Sequence, residues 1–99
     1  MTNSGMSTYK IYIDKKVKKD LKKISREQVI RIIDAISQRL TTKPHIYAKP
    51  LYGSLNGFKS LRVGNYRVIF GINKKRVEIW AISHRATVYK QAYDRLFNQ

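Results

Sequence analysis

Cysteine is absent from the chain, proline occurs twice and glycine five times, and six acidic residues stand against 21 lysines and arginines. Each scarcity excludes something. Without cysteine there can be no disulfide, no thiolate metal site and no cysteine nucleophile, which fits a reducing compartment and leads us to expect a cytoplasmic protein. No apolar run approaches the 18 or so residues that a membrane span needs, and no signal peptide is recognisable. A carboxylate pair, a cluster with metal-ligand spacing and a glycine-rich phosphate loop are also missing, so no cofactor is expected. What remains in excess is positive charge, +15 on 99 residues. Such an imbalance favours polyanions through counterion release and makes nucleic acid the expected ligand.

The pattern along the chain gives one domain over 8–99, preceded by a small, polar tail at 1–7 expected to be disordered. Thr8 to Ile13 alternates as a half-buried strand. Asp14 suits a helix N-cap, and Val17, Leu21 and Ile24 follow at helical spacing among six lysines. Ser25 and Gln28 read as a capping box for a second helix, which carries Val29, Ile32, Ile33, Ile36 and Leu40 on one face. Pro44 and Pro50 bracket a loop containing His45, Tyr47 and Lys49. Three strands follow, with hairpin turns at Gly64-Asn65 and Asn73-Lys74-Lys75, and then a short helix over Thr87 to Phe97. The expected fold is α+β: a mainly antiparallel sheet, one N-terminal strand and three C-terminal strands, packed on a two-helix hairpin, with a short C-terminal helix. The middle of the three strands, Tyr66 to Ile72, is apolar on both faces and belongs at the centre. One of its faces takes the helical hairpin, and the face carrying Arg67 is left for a ligand. On the last strand, strict alternation sets Trp80, Ile82 and His84 against Ile79, Ala81 and Ser83.

Between Phe58 and Tyr89 the Lys, Arg, Asp and Glu positions are all cations except Glu78. Arginine's planar fork matches phosphate oxygens in pairs, and a tyrosine ring offers a base a stacking surface. Arg62, Arg67 and Arg85 with Tyr89 therefore form the candidate site, and Lys49 is a further candidate RNA contact. Arg67 reads as a phosphate clamp or, alternatively, as half of a surface ion pair. Arginine scarcely deprotonates, so Arg67 and Arg85 would act by charge. Tyr89 either stacks on a base or packs with its hydroxyl exposed. His84, the nearby group whose ordinary pKa of about 6.5 suits proton transfer, is either a catalytic candidate or packed beside Ile82. His45 reads as a surface residue.

The segments Leu51-Tyr52-Gly53, Leu61-Arg62-Val63-Gly64-Asn65-Tyr66-Arg67-Val68-Ile69-Phe70 and Ile82-Ser83-His84-Arg85, with Val88-Tyr89 beyond, resemble the RelE/ParE toxin superfamily of bacterial type II toxin–antitoxin systems. The pattern is nearer its RelE branch. That resemblance implies a toxin that enters the ribosomal A site and cuts mRNA by attack of a ribose 2′-OH on the neighbouring phosphate. It also implies a cognate antitoxin as partner, with an acidic or amphipathic segment. It places the family's basic residues at Lys59, Arg67 and Arg85 and its stacking tyrosine at Tyr89. The family's two alternating lysines fall at Phe58 and Ser60, so the general base is open. Lys59 faces away from Ser60 and Arg62 by strict alternation unless a bulge near Gly57 turns it back, and Arg62 is the other cation for that strip. A ParE-like poison of DNA gyrase, without nuclease activity, is the alternative function, and an inactive RNA-binding module is a third.

Overall fold

Strand and helix meet at a single capping residue near the start of the chain. In the computed structural model, which describes residues 8–98, β1 (Lys10–Ile13) ends at Asp14, whose extended backbone and carboxylate cap α1 (Lys15–Lys22) by accepting the Val17 N–H at 3.1 Å. The strand is shorter than the alternation from Thr8 implies: the Tyr9 N–H already turns aside to Thr41 O. The tail expected to be disordered lies outside the described residues.

Ser25 caps α2 (Arg26–Ala35) as its sequence predicts, accepting from the Gln28 N–H. A π-helical turn, Ile36–Leu40, then prolongs this helix by five residues. Ile32, Ile36 and Leu40, four apart, are buried with Ala35 in the main core. Ile33, expected on that face, is 39% exposed, because it sits about 100° around the helix from Ile32.

The stretch from Pro44 to Pro50, expected to be loop, folds further than its composition suggests. It holds the one-turn helix α3 (Pro44–Tyr47) and a two-residue edge strand, β2 (Lys49–Pro50). Proline is tolerated there because an edge strand need not donate from every position. β3 (Lys59–Val63), β4 (Tyr66–Asn73) and β5 (Arg76–His84) complete a sheet of order β1-β5-β4-β3-β2. β4 is central, as its two apolar faces require. β1 lies parallel to β5 and the other pairs are antiparallel. The first hairpin turns on Gly64, at φ 61°. The second is one residue tighter than expected, since Asn73 still pairs with Arg76. That leaves Lys74 in the left-handed region, at φ 59°, where a side chain is unfavourable.

Strict alternation fails once. The β4–β5 register moves from Ile69↔Ala81 to Phe70↔Ile79, so Trp80 is an extra residue, a β-bulge. Ile79 and Ile82 therefore share the helical-hairpin core, whereas alternation sets them on opposite faces. Trp80 packs edge-to-face on Phe58, with 6.3 Å between ring centroids. Both rings crowd Gly71, where an added Cβ would come within 3.4 Å of Phe58.

The second face of the sheet is not wholly open. α4 (Val88–Phe97) lays Val88 and Ala92 on Ile69 and Ala81, with Leu51 and Phe58 at the margin. It is fixed by Asp20, a residue only 3% exposed within the lysine-rich α1. The Asp20 carboxylate accepts from the Ile82 N–H (3.1 Å), the Gln91 amide (2.9 Å) and both terminal nitrogens of Arg95 (2.5 and 2.7 Å). Arg95 also donates to Trp80 O, at 3.0 Å, on the bulge itself. These hydrogen bonds to Asp20 raise the Arg95 guanidinium pKa above its ordinary value, so the guanidinium stays charged.

Removing one partner of this buried pair strands the other. Arg95→Ala is expected to cost about 3–5 kcal/mol in urea denaturation, and Arg95→Lys should recover only part of it because the two-pronged geometry is lost. Conversely, Lys74→Gly should stabilise the protein by about 0.5–1 kcal/mol in the same assay. A loss at Lys74→Gly would show that the left-handed turn is not strained.

Candidate functional site

Register decides which candidates can meet, because cross-strand partners share a sheet face. Arg62 pairs with Arg67, Ser60 with Ile69, and Arg67 with Ser83. These residues lie on the α4 side of the sheet. Two arginines directly opposite each other repel, an arrangement that costs stability unless an anion lies between them. Among the described residues the ion pairs are Arg76–Glu78 and Arg95–Asp20, so the ion-pair alternative for Arg67 is not seen there. Arg67 instead donates to Tyr66 O at 3.5 Å and Arg62 to Gly64 O at 3.4 Å, both at the β3–β4 turn end of the sheet. Arg85 lies just beyond β5 and is exposed; its backbone N–H donates to Asn65 O at 2.8 Å, which ties it to the same turn.

Tyr89 belongs to the first turn of α4, 38% exposed, with its hydroxyl 3.4 Å from the Ser60 Oγ. Ser60 is itself only 6% exposed. The contact pins the tyrosine hydroxyl to β3 and leaves part of the ring to solvent. A separate hydroxyl pair, Ser83 and Thr87 at 3.0 Å, closes the strand-to-helix corner from which α4 departs.

Two candidates stand apart. Lys59 pairs with Phe70, a residue of the helical-hairpin core, so the register sets it on the opposite face from Arg67. The β3 ladder is regular from Lys59 to Val63, and no bulge turns it back. His84 pairs with Tyr66 and meets its ring at 5.8 Å, again away from Arg67. It is exposed at the strand end instead of packed beside Ile82, and its Nδ1 accepts the Ala86 N–H at 3.2 Å. By contrast, Lys49 on β2 pairs with Ser60 and so shares the face of Arg62 and Arg67. Lys49 brings an amine to this face from the edge strand, part of the Pro44–Pro50 stretch whose two prolines read as loop.

Two contributions carry little signal in the sequence. Ser60 is the hydroxyl that receives Tyr89, and Asp20 is the anchor that holds the helix carrying it. The signal for Asp20 is a single acid inside a run of six lysines, at the position one turn after Val17 on the buried side. The assembled face can hold phosphate by charge and a base by stacking.

Residues 11–89 match the family described as the ParE toxin of type II toxin–antitoxin systems, parDE. The toxin RelE of Mycobacterium tuberculosis is 31% identical over 84 residues, which span 83% of this chain and 87% of that protein. Among solved structures, the toxin–antitoxin complex RelBE2 from Mycobacterium tuberculosis superposes with a TM-score of 0.74 at 26% identity, covering 79% of this chain and 99% of that one. The archaeal RelE–RelB complex from Pyrococcus horikoshii gives 0.62 at 26% identity, covering 79% and 96%. With a family match over most of its length and a relative above 30% identity, the chain belongs to the RelE/ParE toxin superfamily of type II toxin–antitoxin systems.

Proposed function

We propose that this toxin is a ribosome-dependent mRNA endonuclease that cuts in the A site. The observation that carries the reading is the cross-strand Arg62–Arg67 pair, without a carboxylate partner among the described residues and on the face that Tyr89 overhangs. In the reaction a ribose 2′-oxygen forms a bond to the adjacent phosphorus as the bond to the 5′-oxygen breaks, leaving a cyclic phosphate and a 5′-hydroxyl. Negative charge grows on the phosphoryl oxygens, and fixed guanidinium groups stabilise it there without needing to reorient. Arg67 and Arg62 are assigned that role, with Arg85 at the leaving-group end. Tyr89 stacks on a base and so fixes the phosphodiester against the arginines. Lys49, set beside Ser60 by the register, is assigned to the attacking hydroxyl in place of Lys59 across the sheet. The setting of the reaction is the cytoplasm, where ribosomes are.

The ParE family match favours a second reading, in which the protein poisons DNA gyrase and cuts nothing. That mechanism makes no demand on a phosphate clamp, and it leaves the opposed arginines unexplained. For either activity the partner is a cognate antitoxin. The relatives from Mycobacterium tuberculosis and Pyrococcus horikoshii are complexes of toxin with antitoxin. A net charge of +15 suits an acidic segment, and the exposed Ile30 (59%) and Ile33 of α2 suit the apolar side of an amphipathic one.

Primer extension on a defined mRNA, with purified protein and programmed ribosomes, tests the assignment. Cleavage should require ribosomes and fall about 10²–10³-fold in Arg67→Ala, with a similar loss in Lys49→Ala. Lys59→Ala and His84→Ala should stay near the wild-type level. Intact mRNA alongside gyrase-linked DNA breaks would establish the second reading instead.

A further inference from the structure

α4 carries more exposed aromatic surface than a helix of ten residues needs. Tyr89, Tyr93 and Phe97 follow one another at four-residue spacing and are 38%, 39% and 54% exposed. Four residues advance a helix by about 6 Å, so the three rings form a ladder along one flank. Tyr93 and Phe97 are already in contact, with centroids 5.0 Å apart and planes tilted by 47°. The ladder starts beside Ser60 and the opposed arginines and runs toward the end of the sheet where Arg95 bonds Trp80 O. Packing of α4 does not account for these rings, because Val88 and Ala92 make its buried seam.

We infer that this flank is a stacking track for single-stranded RNA, with Tyr93 and Phe97 receiving the nucleotides next to the one held at Tyr89. The inference rests on the endonuclease reading and extends its substrate from one nucleotide to a strand several nucleotides long. Two observations choose this occupant. The stripe is continuous with the cationic face, so a strand seated at Arg62 and Arg67 has α4 as its next surface. Its chemistry is aromatic throughout, whereas the exposed flank of α2, Ile30 and Ile33, is aliphatic and suits a protein helix. Rings on a basic protein bind any sequence, because every base has a π-face and every nucleotide a phosphate.

The test is fluorescence anisotropy on the full chain with a labelled single-stranded RNA dodecamer and a trinucleotide. The double variant Tyr93→Ala, Phe97→Ala should bind the dodecamer at least about fivefold more weakly, with the trinucleotide unaffected. Tyr93→Trp, Phe97→Trp should bind as the wild type does, and Tyr93→Leu, Phe97→Leu should be as weak as the alanine pair. Both residues are exposed, so the variants should keep the wild-type circular dichroism. An abasic dodecamer should erase the difference between wild type and the alanine pair. Leucines that bind like the wild type would overturn stacking. Unchanged dodecamer affinity in the alanine pair, with Arg67→Ala weakened, would remove the track and leave the endonuclease reading standing. Unchanged affinity in both would remove that reading too. Unchanged RNA affinity with a weakened complex with the purified cognate antitoxin would assign the stripe to a protein partner.

Discussion

One carboxylate holds the architecture in register. Asp20 reaches from a helix whose other polar residues are all lysines into the seam between β5 and α4, and there it satisfies a strand N–H, a side-chain amide and a guanidinium at once. β1 covers β5 only as far as Ile79, so the Ile82 N–H on that edge has no strand to donate to. Asp20 stands in for the missing strand. Arg95 does the same for the bulge, donating to the Trp80 carbonyl. An isolated charge in such a place is costly, whereas a pair with its remaining lone pairs and protons satisfied is tolerated. The position of α4, and with it that of Tyr89, rests on this arrangement more than on the two small residues, Val88 and Ala92, that the helix buries.

From that fixed helix the site follows by register. The sheet sorts its polar residues onto two faces, and only one of them gathers arginines beneath a tyrosine. Lys59 and His84 are near neighbours of site residues in sequence, yet their ladder partners are Phe70 and Tyr66, on the helical-hairpin side. Lys49 is distant in sequence and shares the site's face through a two-residue strand. A period of two makes adjacency in a strand a poor guide to proximity. Opposed like charges and a half-exposed ring are each unfavourable alone, and the proposed function gives each a partner, a phosphate and a base.

Much of this is legible in the order of residues alone. The caps at Asp14 and Ser25, the turn at Gly64, the central place of β4 and the α+β class all follow from side chains whose local hydrogen bonds or periodicity are strong. Arg62 and Arg67 fall on one face because the regular β3–β4 ladder carries alternation faithfully. The rest is decided by tertiary contact. Trp80 looks like any alternating strand residue, and only the shift in pairing with β4 shows the bulge. Lys49-Pro50 is too short to carry a period. Asp20 reads as one acid in a solvated helix until Arg95, 75 residues later, comes to meet it.

The parallel pairing of β1 with β5 has a consequence in time. Lys10 to Ile13 are synthesised 66 residues before their partners, Arg76 to Ile79. Contacts of such wide sequence separation must wait for loop closure, which makes them slow to form. A nascent chain can build its helical hairpin early, but the sheet edge beside β1 stays unfilled until β5 is made. Asp20 waits longer still, since Arg95 follows only in the last turn of α4. A chain halted before Arg95 therefore lacks the lock on the helix that bears Tyr89.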